Sequence, residues 1–151
     1  MFAVPKMRPS DDFGSGYFGA SRGARKHVGI DFDVEPETVV FSLTDGKVTK
    51  IGYPYGNDLS YRYVQVTHSS GDKLRYFYTI PTQDFGSFDV GREIKKGDPL
   101  GVVQDVSARY DTDARKMNNH VHFEIMRGLE YLNPSDWLRG VGIVVEDVGR
   151  G

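Results

Sequence analysis

The chain of 151 residues contains no cysteine. That removes disulfides, thiolate nucleophiles and cysteine-ligated metal sites together, and it leaves the redox compartment open. The chain also lacks a strong charge imbalance, with a formal net charge of −2 and a pI near 6.1. Binding to nucleic acid, or general attraction to an anionic surface, therefore finds no support. No apolar run approaches the roughly 20 residues that a membrane span needs, so no membrane insertion is expected. The opening stretch MFAVPKMRPSDDFG lacks the apolar centre of a signal peptide. Action outside a cell is thus expected to depend on delivery by something other than a leader in this sequence. Histidine is scarce as well, with four in all, and that scarcity makes the placement of each one informative.

Hydrophobic residues make up 38% of the chain and charged residues 26%, a composition able to bury one real core. One globular domain is expected over 1–151, with its core at about 13–138 and a peripheral tail at 139–151. Residues 13–26 are rich in glycine, serine and arginine and read as loop. Beyond them the signal is β. Runs of β-branched and aromatic residues occupy 28–34, 38–43, 47–53, 61–68, 72–80, 98–104 and 120–127. Turn signals such as Asp45-Gly46, Ser70-Gly71 and Lys96-Gly97-Asp98 separate them. The short links joining the third, fourth and fifth runs predict antiparallel hairpins. At most one helical turn is expected, at 134–138, with Ser135 or Asp136 near its start. The long polar insertions at 81–91 and 105–119 are candidates for functional loops.

Three of the four histidines fall in two motifs, His27-Val-Gly-Ile-Asp31 and His120-Val-His122. In a strand, residues two apart share a face. His120, His122, Glu124 and Met126 therefore share one face, and the apolar Val121, Phe123 and Ile125 share the other. The first set lines a site or a solvated face, and an isolated pair of histidines on an exposed strand is the plain alternative. Four residues of straight strand span roughly 13 Å, too far for His27 and Asp31 to hold one ion at about 2.0–2.2 Å. The chain is expected to bend between them, at Gly29.

With these two motifs the chain resembles the lysostaphin-like, LytM-type zinc endopeptidases that hydrolyse peptidoglycan. The similarity extends through KHVGIDFDV, the Asp-Gly hairpin of VVFSLTDGKVTKIG, VGREIKKGDPLGVV, HVHFEIMRG and the Asn133-Pro134…Trp137-Leu138 ending. It covers roughly residues 13–138. It implies an all-β fold, antiparallel β-sheets in a compact sandwich-like domain of the LytM type, with long loops around a zinc groove. It also implies one Zn²⁺ held by His27, Asp31 and His122, with His120 as the spare imidazole that moves protons. Imidazoles titrate near pH 6.5, which suits both directions of transfer. Glu124 is expected to orient an imidazole from behind.

This sequence departs from the family at one point. The family usually carries another catalytic histidine in a Tyr-x-His-Leu segment, and here the stretch is Tyr76-Phe77-Tyr78-Thr79. Tyr78 stands where that histidine is expected. Alternation places Tyr76 and Tyr78 on one face, so a phenol is available to donate a hydrogen bond to a developing oxyanion. The plain reading of Tyr78 is an aromatic that packs on the strand.

His68 reads as structural or solvated. Arg22, Arg25, Arg109, Arg115 and Lys116 read as loop charges available to substrate carboxylates. The expected substrates are cross-bridge or stem peptides of bacterial cell wall, met at the wall itself or from a virion. Three readings stay open on these residues: an active endopeptidase, a non-catalytic wall-binding or activating module, and a structural part of a larger particle such as a phage tail tip, in contact with other phage proteins. The spacing of the two motifs argues against a fourth, a sugar-phosphotransferase carrier domain with paired histidines.

Overall fold

The computed structural model describes residues 21–22, 25–26, 29–81, 90–105 and 120–144. The elements, in chain order, are β1 (Ser21–Arg22), β2 (Arg25–Lys26), β3 (Ile30–Asp33), β4 (Val39–Phe41), β5 (Gly46–Gly52), β6 (Tyr63–Thr67), β7 (Lys73–Phe77), β8 (Thr79–Ile80), β9 (Glu93–Ile94), β10 (Pro99–Val103), β11 (His120–Arg127), β12 (Glu130–Leu132) and the helix α1 (Pro134–Gly140). Among the described residues the fold is all-β with one short helix, and every strand pairing is antiparallel.

The main sheet runs β12-β11-β7-β6-β5-β9. β3 lies against the first half of β11 and β12 against its second half. The expected antiparallel pairs β5–β6 and β6–β7 form, joined by residues 53–62 and 68–72. A second sheet, β4-β10-β8, supplies Val40, Leu100 and Val103 to the core that the main sheet fills with Val64, Val66, Leu74, Tyr76, Phe123 and Ile125. The two sheets thus share one apolar interior, a sandwich-like arrangement.

The run 120–127 forms one continuous strand, as its alternation requires. Four expectations need correction. The run 72–80 is two strands, because Tyr78 takes a left-handed φ of 60° and turns the chain from the main sheet into the second. Within the stretch 13–26, read as loop, 21–22 and 25–26 pair as β1 and β2. The helix is longer than one turn, and Asn133 caps it by accepting from the Ser135 N–H at 3.0 Å, with Pro134 following in the first turn. Ile143, inside the stretch read as peripheral tail, is buried in the core cluster. Strands such as β8, β9 and β12 have two or three residues each, too few to show a period.

Among the described residues no helix is long and apolar enough to cross a membrane.

Candidate metal centre

β11 carries the site on the face opposite the core. Its partner register sets Asp31 directly across from His122, two residues 91 apart in sequence. The Asp31 Oδ1 and His122 Nδ1 atoms stand 2.9 Å apart. Asp31 is almost fully buried, at 2% exposure. Its other oxygen lies 3.7 Å from His120 Nε2, so one carboxylate faces both histidines of the His-x-His motif. On the far side of the His122 ring, Nε2 stands 2.9 Å from Glu124 Oε1.

The electrostatics of His122 follow from this bracket. Burial lowers the pKa of its imidazole, but the hydrogen bonds and charges of Asp31 and Glu124 outweigh burial and raise it to about 9. The site has strong local demand for positive charge, which a proton or a cation satisfies.

Gly29 makes the close packing possible. A Cβ there would come within 2.4 Å of the Phe123 carbonyl oxygen and 2.9 Å of His122 Cε1. The glycine is required for close approach of β3 to β11. The bend anticipated at Gly29 involves His27, which lies outside the described residues.

Two aromatic rings close the site from β7 and its end. Phe77 meets the His122 ring edge-on at 5.0 Å, and Tyr78 meets the His120 ring at 5.4 Å and 90°. Tyr76 does not share their face, against the expectation from alternation. It is buried in the core against Phe123, accepts a hydrogen bond from the Leu43 N–H at 3.0 Å, and burial pushes its phenol up to about 12. The left-handed backbone at Tyr78 inverts the alternation and brings Phe77 and Tyr78 to the histidines together. A bulky residue at positive φ costs roughly 1–3 kcal/mol, and such strain is concentrated at functional sites.

Sequence reasoning missed the company Tyr78 keeps. Its hydroxyl is 3.0 Å from that of Tyr55. Tyr61 packs edge-on against both rings, and its own hydroxyl donates to the Asp105 carbonyl at 2.8 Å. The available signal was the crowding of Tyr53, Tyr55, Tyr61 and Tyr63 into eleven positions. His68 sits apart, in the β6–β7 turn, with its ring edge-on to Trp137 at 5.1 Å. Arg109, Arg115 and Lys116 lie outside the described residues, as do the side chains of Arg22 and Arg25.

Among the described residues no three histidine, aspartate or glutamate side chains have the geometry to hold a metal ion. Two donors are nevertheless in place. Atoms each roughly 2.1 Å from one ion in a tetrahedral arrangement stand about 3.4 Å apart, so Asp31 Oδ1 and His122 Nδ1 need to part by only about half an ångström. With an imidazole as the third donor, the set becomes histidine–aspartate–histidine, a chemistry that suits Zn²⁺.

An all-β scaffold with a buried aspartate–histidine pair and a second histidine on one sheet face defines a candidate hydrolase of the metal-dependent class. The chain belongs to Peptidase family M23, a metallopeptidase family, whose sequence profile matches residues 25–134. Leukocyte cell-derived chemotaxin-2 of Mus musculus is 29% identical over 119 residues, covering 79% of this chain and 72% of that protein. LytU superposes with a TM-score of 0.64 at 23% identity, over 93% of this chain and 88% of that one. The catalytic domain of the antimicrobial peptidase lysostaphin from Staphylococcus simulans gives 0.62 at 21% identity, over 83% and 90%. The chain spans 56% of the length of lysostaphin in its solution structure. These structural likenesses establish a common fold.

Proposed function

We propose that this chain is a zinc-dependent endopeptidase that hydrolyses peptide cross-links or stem peptides of bacterial peptidoglycan. The observation that carries the reading is the Asp31–His122 pair at 2.9 Å, set in register with His120 against the same carboxylate, within a chain of Peptidase family M23. The similarity of fold to a protein described as an antimicrobial peptidase supports the substrate class.

His27, Asp31 and His122 would hold one zinc ion. When bound, zinc supplies Lewis acidity that polarises a scissile carbonyl and acidifies a water. The protein residues do the rest. His120 takes the proton of the attacking water at a ring nitrogen and returns it to the leaving amine. Asp31 Oδ2 steadies that ring. The Tyr78 hydroxyl donates a hydrogen bond to the carbonyl oxygen as negative charge gathers there, and Tyr55 holds the phenol in place. Phe77 and Tyr78 shield the histidines from water. Extended peptides of the wall, met directly or from a virion that carries the chain, are the partners this reading requires.

A second reading is a catalytically silent member that binds wall, activates another protein or serves a virion. Tyr78 in place of the expected histidine favours it, and so does the relative whose name, chemotaxin, is not that of a peptidase. One experiment separates the two. Zinc-loaded protein is incubated with purified peptidoglycans of several cross-bridge types, and soluble muropeptides are read by mass spectrometry beside a His120→Ala sample. New amino termini absent from the variant establish the endopeptidase and name its bond. No cleavage of any wall type by folded, zinc-replete protein leaves the silent module.

A further inference from the structure

Behind the candidate ligand His122, a line of polar side chains crosses the sheet at right angles to its strands. Glu124 on β11 is register partner to Arg75 on β7, and Arg75 is register partner to Gln65 on β6. Their side chains share the face of His122, because Glu124 lies two residues beyond it. The contacts are continuous. His122 Nε2 meets Glu124 Oε1 at 2.9 Å, Glu124 Oε2 meets Arg75 Nη1 as an ion pair at 3.6 Å, and Arg75 Nε donates to Gln65 Oε1 at 2.9 Å. Gln65 Nε2 then donates to Thr49 Oγ1 at 2.9 Å, and Thr49 shares a 2.8 Å hydrogen bond with Thr67. The Arg75 guanidinium also lies over the Tyr63 ring, 5.5 Å from its centroid.

Glu124 and Gln65 are buried, at 4% and 5% exposure. Burying a carboxylate and an amide on a sheet face is costly unless each is paired, and apolar residues would pack there without that cost. The row is therefore best explained by what it does to His122. An imidazole has two nitrogens, and the partner of one decides what the other offers. A Glu124 carboxylate held in place accepts the proton on Nε2, and Nδ1 is then the nitrogen that faces Asp31.

We propose that Arg75, itself fixed by Gln65, is a positioning residue for the metal centre: it holds Glu124 so that His122 presents Nδ1 toward Asp31. This rests on the zinc reading above. Arg75 touches neither substrate nor metal, and its effect passes through Glu124.

The test is zinc affinity by chelator competition, well below the melting temperature, for the native chain and for Arg75→Met, Arg75→Lys and Gln65→Leu. Loss of a partner behind a metal ligand typically costs 10–100-fold in metal affinity. Arg75→Met is expected to show that loss. Arg75→Lys should recover part of it as a point charge beside Glu124, and Gln65→Leu should show a smaller loss. Long-range ¹H–¹⁵N spectra of the zinc-loaded native chain are expected to show His122 protonated at Nε2 and bound through Nδ1. A native chain that does not bind zinc overturns the zinc reading itself. A native chain that binds tightly, with a folded Arg75→Met binding equally tightly, overturns the positioning role alone. Coordination of His122 through Nε2 overturns it as well, and that measurement needs no variant to fold.

Discussion

Tyr78 stands perpendicular to His120, with ring centroids 5.4 Å apart, and its hydroxyl lies 3.0 Å from that of Tyr55. The contact depends on the left-handed backbone of Tyr78, which turns its ring onto the face that carries His120 and His122. The same residue is the link between β7 in one sheet and β8 in the other. The fold's break point and the candidate chemistry are thus a single position.

Tyr78→Phe keeps the ring and removes only the hydroxyl. If the phenol stabilises the oxyanion, kcat is expected to fall by roughly 10²–10³, with KM and zinc affinity nearly unchanged. Tyr55→Phe leaves the donor in place but loosens it, and a fall of about 10-fold is expected, since positioning is worth less than the donor itself. Tyr78→His should fold, because histidine is among the residues that adopt positive φ more readily. Steady-state kinetics on a cleavable wall peptide reads all three. Native kcat in Tyr78→Phe would remove the phenol from the mechanism.

Zinc removal gives a second expectation. A ligand that binds only the folded state stabilises it by RT ln(1 + [L]/Kd), about 2.7 kcal/mol at a hundredfold excess over Kd. For a chain of this size the melting temperature should rise by roughly 5–10 °C on zinc addition. Asp31→Ala and His122→Ala should show no such rise. Differential scanning calorimetry with and without zinc decides, and a zinc-dependent rise that survives both substitutions would place the metal elsewhere.

Much of this was legible in the sequence because the informative patterns are local. The alternation of HVHFEIMR fixes both the span of β11 and the division between its core face and its site face. The turn residues between β5, β6 and β7 are enough to specify two hairpins. The two motifs single out Asp31 and His122, the family resemblance implies a ligand role for both, and the structure sets them opposite each other. What alternation cannot register is a single left-handed residue: it places Tyr76 and Tyr78 on one face, whereas Tyr76 packs in the core and Tyr78 joins Phe77 beside the histidines. Nor does a local pattern reveal cross-strand partners: Arg75, Gln65 and Tyr55 gain meaning only once three strands lie side by side. The Asn133 cap is a milder case, since three adjacent polar or turn-forming residues compete for one role.

Gly29→Ala tests the close approach of β3 to β11. The added methyl would fall 2.4 Å from the Phe123 carbonyl, and backbone on a central strand does not yield easily. Overpacking of this kind costs about 1–3 kcal/mol. β3 should move outward and part Asp31 from His122. Zinc affinity is therefore expected to fall more than the loss of stability alone explains, which calorimetry and chelator competition on the same sample can show. Equal zinc affinity in the folded variant would mean that the pair tolerates the shift.

Asp72 offers a pH test remote from the metal centre. Its carboxylate takes two hydrogen bonds from Arg127, both at 3.0 Å, one from the Trp137 indole at 2.8 Å and one from the Ser70 hydroxyl at 3.2 Å. Together these pin α1 to the end of the main sheet. The hydrogen bonds from Arg127 are the chief cause that lowers the carboxyl from 3.8 to about 2, against the opposing effect of burial. Between those values the unfolded chain binds a proton that the folded chain does not, so stability rises with pH through that window. The contribution is full above about pH 4 and is lost as pH falls through about 2. Arg127 is 64% exposed, so screening limits the contribution to on the order of 1–2 kcal/mol. Asp72→Asn should lower the melting temperature near neutral pH by about 3–6 °C and flatten its fall between pH 4 and 2, with zinc affinity unchanged. Trp137 is the chain's one tryptophan, so its fluorescence reports directly whether α1 stays docked. An Asp72→Asn variant with the native acid profile would assign that pH dependence to another carboxylate.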